Sequence, residues 1–189
     1  MTPRIQKASR IEGHSLVFRN ACEADAPFVY ELRTDRVRTR YLSAVPPQLQ
    51  AQVEWLRRYA GDQQQAYFII CDTENRPLGT VRLYGARGTA FCWGSWLLRD
   101  GLPARCGIES VLMVYHYALE LGFDSAWFEV HKENTSVWRF HENFGAQRTG
   151  ETHDSWCYEL APAALQASLK KYGRYLPGGI RVAPLEIVA

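Results

Sequence analysis

The chain of 189 residues is 47% apolar and 22% charged, with a formal net charge of +2. That is enough for the core of one domain with an appendage, and a charge so near balance argues against nucleic-acid or membrane-surface partners. The five cysteines are odd in number, scattered and without a C-x-x-C pair, which excludes a zinc ribbon and a secreted disulfide scaffold.

With no apolar leader and no apolar run long enough to span a bilayer, the expected compartment is the reducing cytoplasm. SLVFR, Ser15 to Arg19, alternates and predicts a first strand. A short amphipathic helix follows Asp25, with Phe28, Val29 and Leu32 on its apolar side. The polar, basic segment from Thr34 to Ala44 fits no element, and acids interrupt its arginines, as in a solvated or substrate-facing loop. Pro46 and Pro47 are expected in the first turn of a second helix that ends at Gly61, with Leu49, Val53, Leu56 and Tyr59 at helical spacing.

AYFIICD, GTVRLYG and AFCWGSWLL are three strands joined by short turns, an antiparallel meander. Gly94 permits a bulge in the third. GLPARCGIES, Gly101 to Ser110, then leads into a helix on which Ile108, Val111, Leu112, Tyr115 and Leu119 share a face. Met113, Val114 and Leu121 cover much of the rest, so this helix should pack between layers. The Gly-rich turn is either loop punctuation or a phosphate site at the helix N-terminus. SAWFEV is a strand, Asn134 is placed to cap a helix running to Phe144, and AQRTGE with SWCYEL forms a final hairpin. The fold class is α/β of the α+β kind: a mixed, mostly antiparallel sheet with helices on both faces. Residues 12–161 form one domain. Residues 162–189 change in composition and are expected to be a helical and extended appendage, docked on its own domain or on a second subunit of a homodimer.

This order of elements, with FEVHKENTSVWRFHENFGA at Phe128 to Ala146, resembles the GNAT superfamily of acetyl-CoA-dependent N-acetyltransferases. The branch it looks closest to holds ribosomal-protein N-terminal acetylases and aminosugar acetylases. The resemblance covers about Leu16 to Leu160 and implies acetyl-CoA as co-substrate and a small-molecule amine as acceptor. It implies that Trp96, Leu97 and Leu98 flank the pantetheine arm. Amides of Arg105, Cys106, Gly107, Ile108, Glu109 and Ser110 would surround the pyrophosphate, with the Arg105 side chain as cation. The family's glycine motif is degraded here, and Glu109 is tolerable near phosphates only if it turns outward, as its place on the helical wheel suggests.

The same resemblance makes Glu129 the base and puts His141 where the family carries a tyrosine acid; an imidazolium is chemically capable of that role. Asn134 becomes a cap and a CoA contact. The acceptor side is assigned to Glu31, Arg33, Arg36 and Tyr41, and to the turn from His153 to Trp156. Arginines beside aromatics suit a nucleotide-linked aminosugar. A peptide N-terminus, a polyamine, or a non-catalytic acyl-CoA-binding protein are the alternatives. His131, His141 and His153 have no compact ligand spacing, so no metal is expected.

Overall fold

The computed structural model describes residues 2–35, 39–42 and 45–185. A nine-stranded sheet forms its centre. The strands are β1 (Ala8–Glu12), β2 (Leu16–Asn20), β3 (Ala66–Asp72), β4 (Pro77–Arg87), β5 (Ala90–Leu98), β6 (Ser125–His131), β7 (Gln147–Glu151), β8 (Ser155–Leu160) and β9 (Arg181–Pro184). The helices are α1 (Ala26–Thr34), α2 (Leu49–Gly61), α3 (Ala104–Glu120), α4 (Thr135–Asn143) and α5 (Pro162–Tyr172). The spatial order is β7-β8-β6-β5-β4-β3-β2-β1-β9. Every neighbouring pair is antiparallel except β5 and β6, which run parallel.

Side-chain alternation sends the two faces of the sheet to different partners. Phe18, Phe68, Leu83, Phe91 and Trp93 pack with Leu112 and Tyr115 of α3 in the larger apolar cluster. Val17, Tyr67, Ile69 and Cys71 pack with Val29 of α1 and Leu56 and Tyr59 of α2 in a smaller one. Helices therefore cover both faces. The Tyr59 hydroxyl ties α2 to the sheet, accepting from the Tyr67 amide at 2.8 Å and donating to Asn20 Oδ1 at 2.6 Å. Asp25, ahead of α1, is held below the usual carboxylate range: burial opposes ionisation, but the Arg19 fork and the Cys22 amide outweigh it. Pro46 and Pro47 stand before the N-cap Gln48, outside the helix they were expected to open.

Two strands are absent from the sequence reading. β1 pairs with β2, and β9 pairs with β1 at the far edge. The segment after Ala161 thus adds a strand to the same sheet, while α5 lays buried Leu165 against the larger cluster. Among the described residues no helix is long and apolar enough to cross a membrane.

Two irregularities shape the site. β5 and β6 pair only from Ala90 to Cys92 against Ser125 to Trp127, and beyond that each continues without the other. On its other edge β5 bulges: Thr80 faces Leu97 and Arg82 faces Gly94, so Val81 stands opposite both Ser95 and Trp96. The left-handed residue of the bulge is Ser95, at φ 48°, rather than the neighbouring glycine.

Candidate active site

The divergence of β5 and β6 leaves a cleft of about 350 Å³. One wall is β5 from Trp93 to Leu97, the other β6 from Phe128 to His131, and α4 adds Val137 and His141. Glu129, His141, Trp96, Leu97, Asn134 and Tyr41 all line it, so the cleft gathers six of the residues named from the sequence. Leu98 instead lies beside Gly107, where a Cβ would stand 3.9 Å from its methyl group.

Glu129 and His141 approach from opposite faces of β6. Phe128 and Val130 are buried while Glu129 between them is exposed, as strand alternation requires. His141 packs on the buried side, its ring centroid 4.2 Å from that of Phe128 in a tilted contact and 5.3 Å from that of Trp93 edge-to-face. Among the described residues Glu129 makes no ion pair, so it is not an arginine partner of the kind common at strand ends. His141 is 5% exposed, and burial pushes its pKa down to about 3. At neutral pH it is therefore a neutral imidazole, not the imidazolium acid expected from the sequence. Its Nδ1 is buried with no hydrogen-bond partner.

Helix α3 begins at Ala104, with Pro103 as N-cap in an extended conformation. Gly107 is thus already helical rather than at a turn, and the Cys106 amide bonds the Pro103 carbonyl at 2.9 Å. The amides left over at the helix start are those of Ala104 and Arg105, beside the exposed Arg105 side chain. Ile108 and Ser110 belong to the helix body, and the Cys106 side chain is buried. Trp96 links β5 to this turn: its Nε1 donates to Ser110 Oγ at 3.1 Å, and Ser110 Oγ donates to the Gly107 carbonyl at 2.8 Å.

Glu109 corrects the sequence reading most sharply. It points inward, 1% exposed. Its carboxylate accepts from the Ser15 amide at 2.6 Å, the Leu16 amide at 2.9 Å and the Ser15 hydroxyl. The wheel places Glu109 away from the Ile108 face, but the start of β2 lies on that side and offers three donors.

Asn134 occupies the N-cap of α4 without a side-chain cap bond. Among the described residues only Ser136 Oγ reaches its Oδ1, at 3.4 Å. The acceptor residues disperse. Tyr41 packs against His131 in the cleft, ring centroids 5.0 Å apart and tilted by 30°, and Glu31 pairs with Arg99 at 3.3 Å outside it. Arg33 opens onto a separate cavity with Arg82, a residue the sequence reading missed because it sits at an ordinary polar position of an alternating strand. Arg36 lies outside the described residues.

A model of the acetyltransferase (GNAT) domain matches residues 15–147. The chain belongs to this family of acyl-transferring enzymes. Among solved structures it is similar to FdhC, a nucleotide-linked sugar GNAT, at 32% identity and a TM-score of 0.78, covering 88% of this chain and 98% of that one. A probable GNAT acetyltransferase from Chromobacterium violaceum shares the fold at 16% identity and a TM-score of 0.76, covering 88% and 92%. So does the spermidine N-acetyltransferase of Vibrio cholerae, solved with CoA and spermine, at 15% and 0.68, covering 80% and 98%. No curated protein matches.

Proposed function

We propose that the chain transfers an acetyl group from acetyl-CoA to the primary amine of a nucleotide-linked aminosugar, in a cytoplasmic setting that suits its five free cysteines. The observation that carries this reading is the cleft between β5 and β6, with Glu129 and His141 in its walls. The residues present fit acetyl-CoA. From Trp93 to Leu98, β5 has no strand partner on its β6 side, so backbone groups face the cleft for an amide-bearing arm. The Ala104 and Arg105 amides at the start of α3 suit phosphates. Acetyl-CoA supplies the activated acyl group.

The chain's own residues have two tasks. Glu129, exposed at the cleft, takes the proton that separates an ammonium from the nucleophilic amine, directly or through water. The amine loses a second proton as the C–N bond forms, and that proton balances the sulfur that departs. No imidazolium is required. His141 acts as a neutral ring in the dry wall of the cleft, beside the reacting groups. The likeness to FdhC favours the sugar acceptor over the peptide and polyamine alternatives.

The test is release of free thiol from acetyl-CoA with nucleotide-linked aminosugars, polyamines and peptides bearing a free N-terminus. Turnover with the sugars is expected. Turnover confined to polyamines or peptides removes the sugar assignment. Binding of acetyl-CoA with no turnover on any amine makes the chain a non-catalytic acyl-CoA binder.

A further inference from the structure

A second cavity, about 260 Å³, lies under α1 and α2, on the face of the sheet opposite α3. Its walls bring together Arg33 of α1, Trp55 of α2, Tyr67 of β3, Arg82 of β4 and Ser95 of β5. No aspartate or glutamate is among the described lining residues. Two guanidinium groups therefore share a partly dehydrated space whose described lining residues include no carboxylate.

Arg82 is held between aromatic faces, its Cζ 5.5 Å from the Trp55 ring centroid and 4.6 Å from that of Tyr84. Those rings position the guanidinium but do not take up its N–H groups. Its Nε is buried and has no hydrogen-bond partner. Arg82 as a whole is half-buried, but an unmet buried donor is costly to keep. Arg33 feels the same crowding: burial first, with the charge of Arg82 acting in the same direction, draws its pKa below the usual range. Asp62 also senses Arg82, but its carboxylate is engaged by the Gln64 amide and the Gln65 side chain.

An anion resolves this arrangement. Guanidinium forks match phosphate oxygens in geometry as well as charge. The volume is below the roughly 300 Å³ at which drug-sized ligand pockets begin, so the cavity takes one end of a larger molecule. Ser95 gives the direction of the rest. It lines both this cavity and the cleft, at the left-handed bulge where β5 turns from one to the other. Backbone held in a sparsely populated conformation at such a junction is typical of functional sites.

We propose that this cavity is the anion subsite of the acceptor, taking the phosphate or diphosphate of the nucleotide-linked sugar, with Arg82 and Arg33 as its specificity-determining residues. The inference rests on the reading of the cleft as the site of acetyl transfer. An acceptor anchored there presents its far end past Ser95 to Glu129.

The probes are inorganic pyrophosphate and uridine diphosphate, titrated calorimetrically into the full chain with saturating CoA present to occupy the α3 side. Both should bind, and Arg82→Gln should weaken each at least tenfold while acetyl-CoA affinity stays the same. Arg33→Gln carries the same expectation and leaves strand β4 intact should the Arg82 variant fail to fold. With a nucleotide-linked aminosugar as acceptor, the loss should appear in KM. Failure of either probe to bind the wild type at millimolar concentration overturns the subsite. Unchanged affinity in both folded variants overturns it as well, even if sugar acetylation proceeds. Arginine-dependent pyrophosphate binding in a protein that acetylates no nucleotide-linked sugar upholds the subsite and removes only the acceptor reading.

Discussion

The His141 imidazole lies against the Phe128 ring with centroids 4.2 Å apart, and this dry contact sets its protonation. The folded group titrates near 3, against about 6.5 for an unperturbed histidine. The unfolded chain therefore binds this proton first as pH falls. The contribution to stability is full above about pH 6.5 and is lost as the pH descends toward about 3, by up to ~1.4 kcal/mol per pH unit. His141→Phe removes the titrating group and retains an apolar ring. Its stability should fall less steeply than that of the wild type in urea denaturation between about pH 4 and pH 7. Equal slopes would place His141 in contact with water.

Glu109 yields a prediction of the opposite kind, about structure rather than chemistry. Its carboxylate is the shared acceptor for Ser15 and Leu16, at the point where the chain enters β2. Glu109→Ala leaves buried backbone donors unpaired, at about 1–3 kcal/mol for each group left unsatisfied. Glu109→Gln keeps one acceptor oxygen but brings an amide to the Ser15 hydroxyl, and should cost less than the alanine variant. Denaturation midpoints measure both. Alanine behaving like wild type would mean that water replaces the carboxylate without penalty.

Glu109 also shows where local reading of a sequence ends. Helical periodicity correctly marks α3 as apolar on most sides, because the pattern is carried by neighbours one turn away. What Glu109 faces depends on residues 94 and 93 positions earlier, and no local pattern reports them. The same holds for β1: ASRIE has only Ala8 and Ile11 buried, and its strand character comes from β2 on one side and β9 on the other. Several residues that line the cleft, Glu129 and Asn134 among them, could be named from the sequence only through the resemblance of the FEVHKEN run to the family. The Arg33–Arg82 cavity was not legible, since a helix and a strand 49 residues apart meet only once the sheet has formed.

Gly107 separates helix from phosphate site. Within α3, a Cβ there would meet the Trp96 ring at 3.7 Å and Leu98 at 3.9 Å, which is ordinary contact. Gly107→Ala should therefore stabilise the fold by about 0.5–1 kcal/mol through helix propensity. If phosphates approach the backbone at this turn, the same methyl group weakens acetyl-CoA binding. Thermal melting and calorimetry on one variant give both numbers. Greater stability with unchanged affinity would confine the phosphates to the Ala104 and Arg105 amides.

The segment after Ala161 is packed into the domain on two sides. Tyr172 stacks on Phe144 at 4.5 Å and 15°, and the Ser168 hydroxyl donates to the Phe144 carbonyl. Leu165 and Leu176 are buried at 1% and 4% exposure, and β9 covers the edge of β1. Truncation after Pro162 strips this cover from α4 and turns β1 into an open edge strand. Loss of the two leucines alone costs about 1.5–3 kcal/mol each, a large share of the roughly 5–15 kcal/mol that holds a domain together. The truncated chain should melt far below the wild type or fail to fold, and light scattering on any soluble fraction should report aggregation through the exposed edge. A truncated protein with wild-type melting and a halved mass would instead assign the segment to a subunit interface. Unchanged melting and unchanged mass would mean that these contacts add nothing to stability.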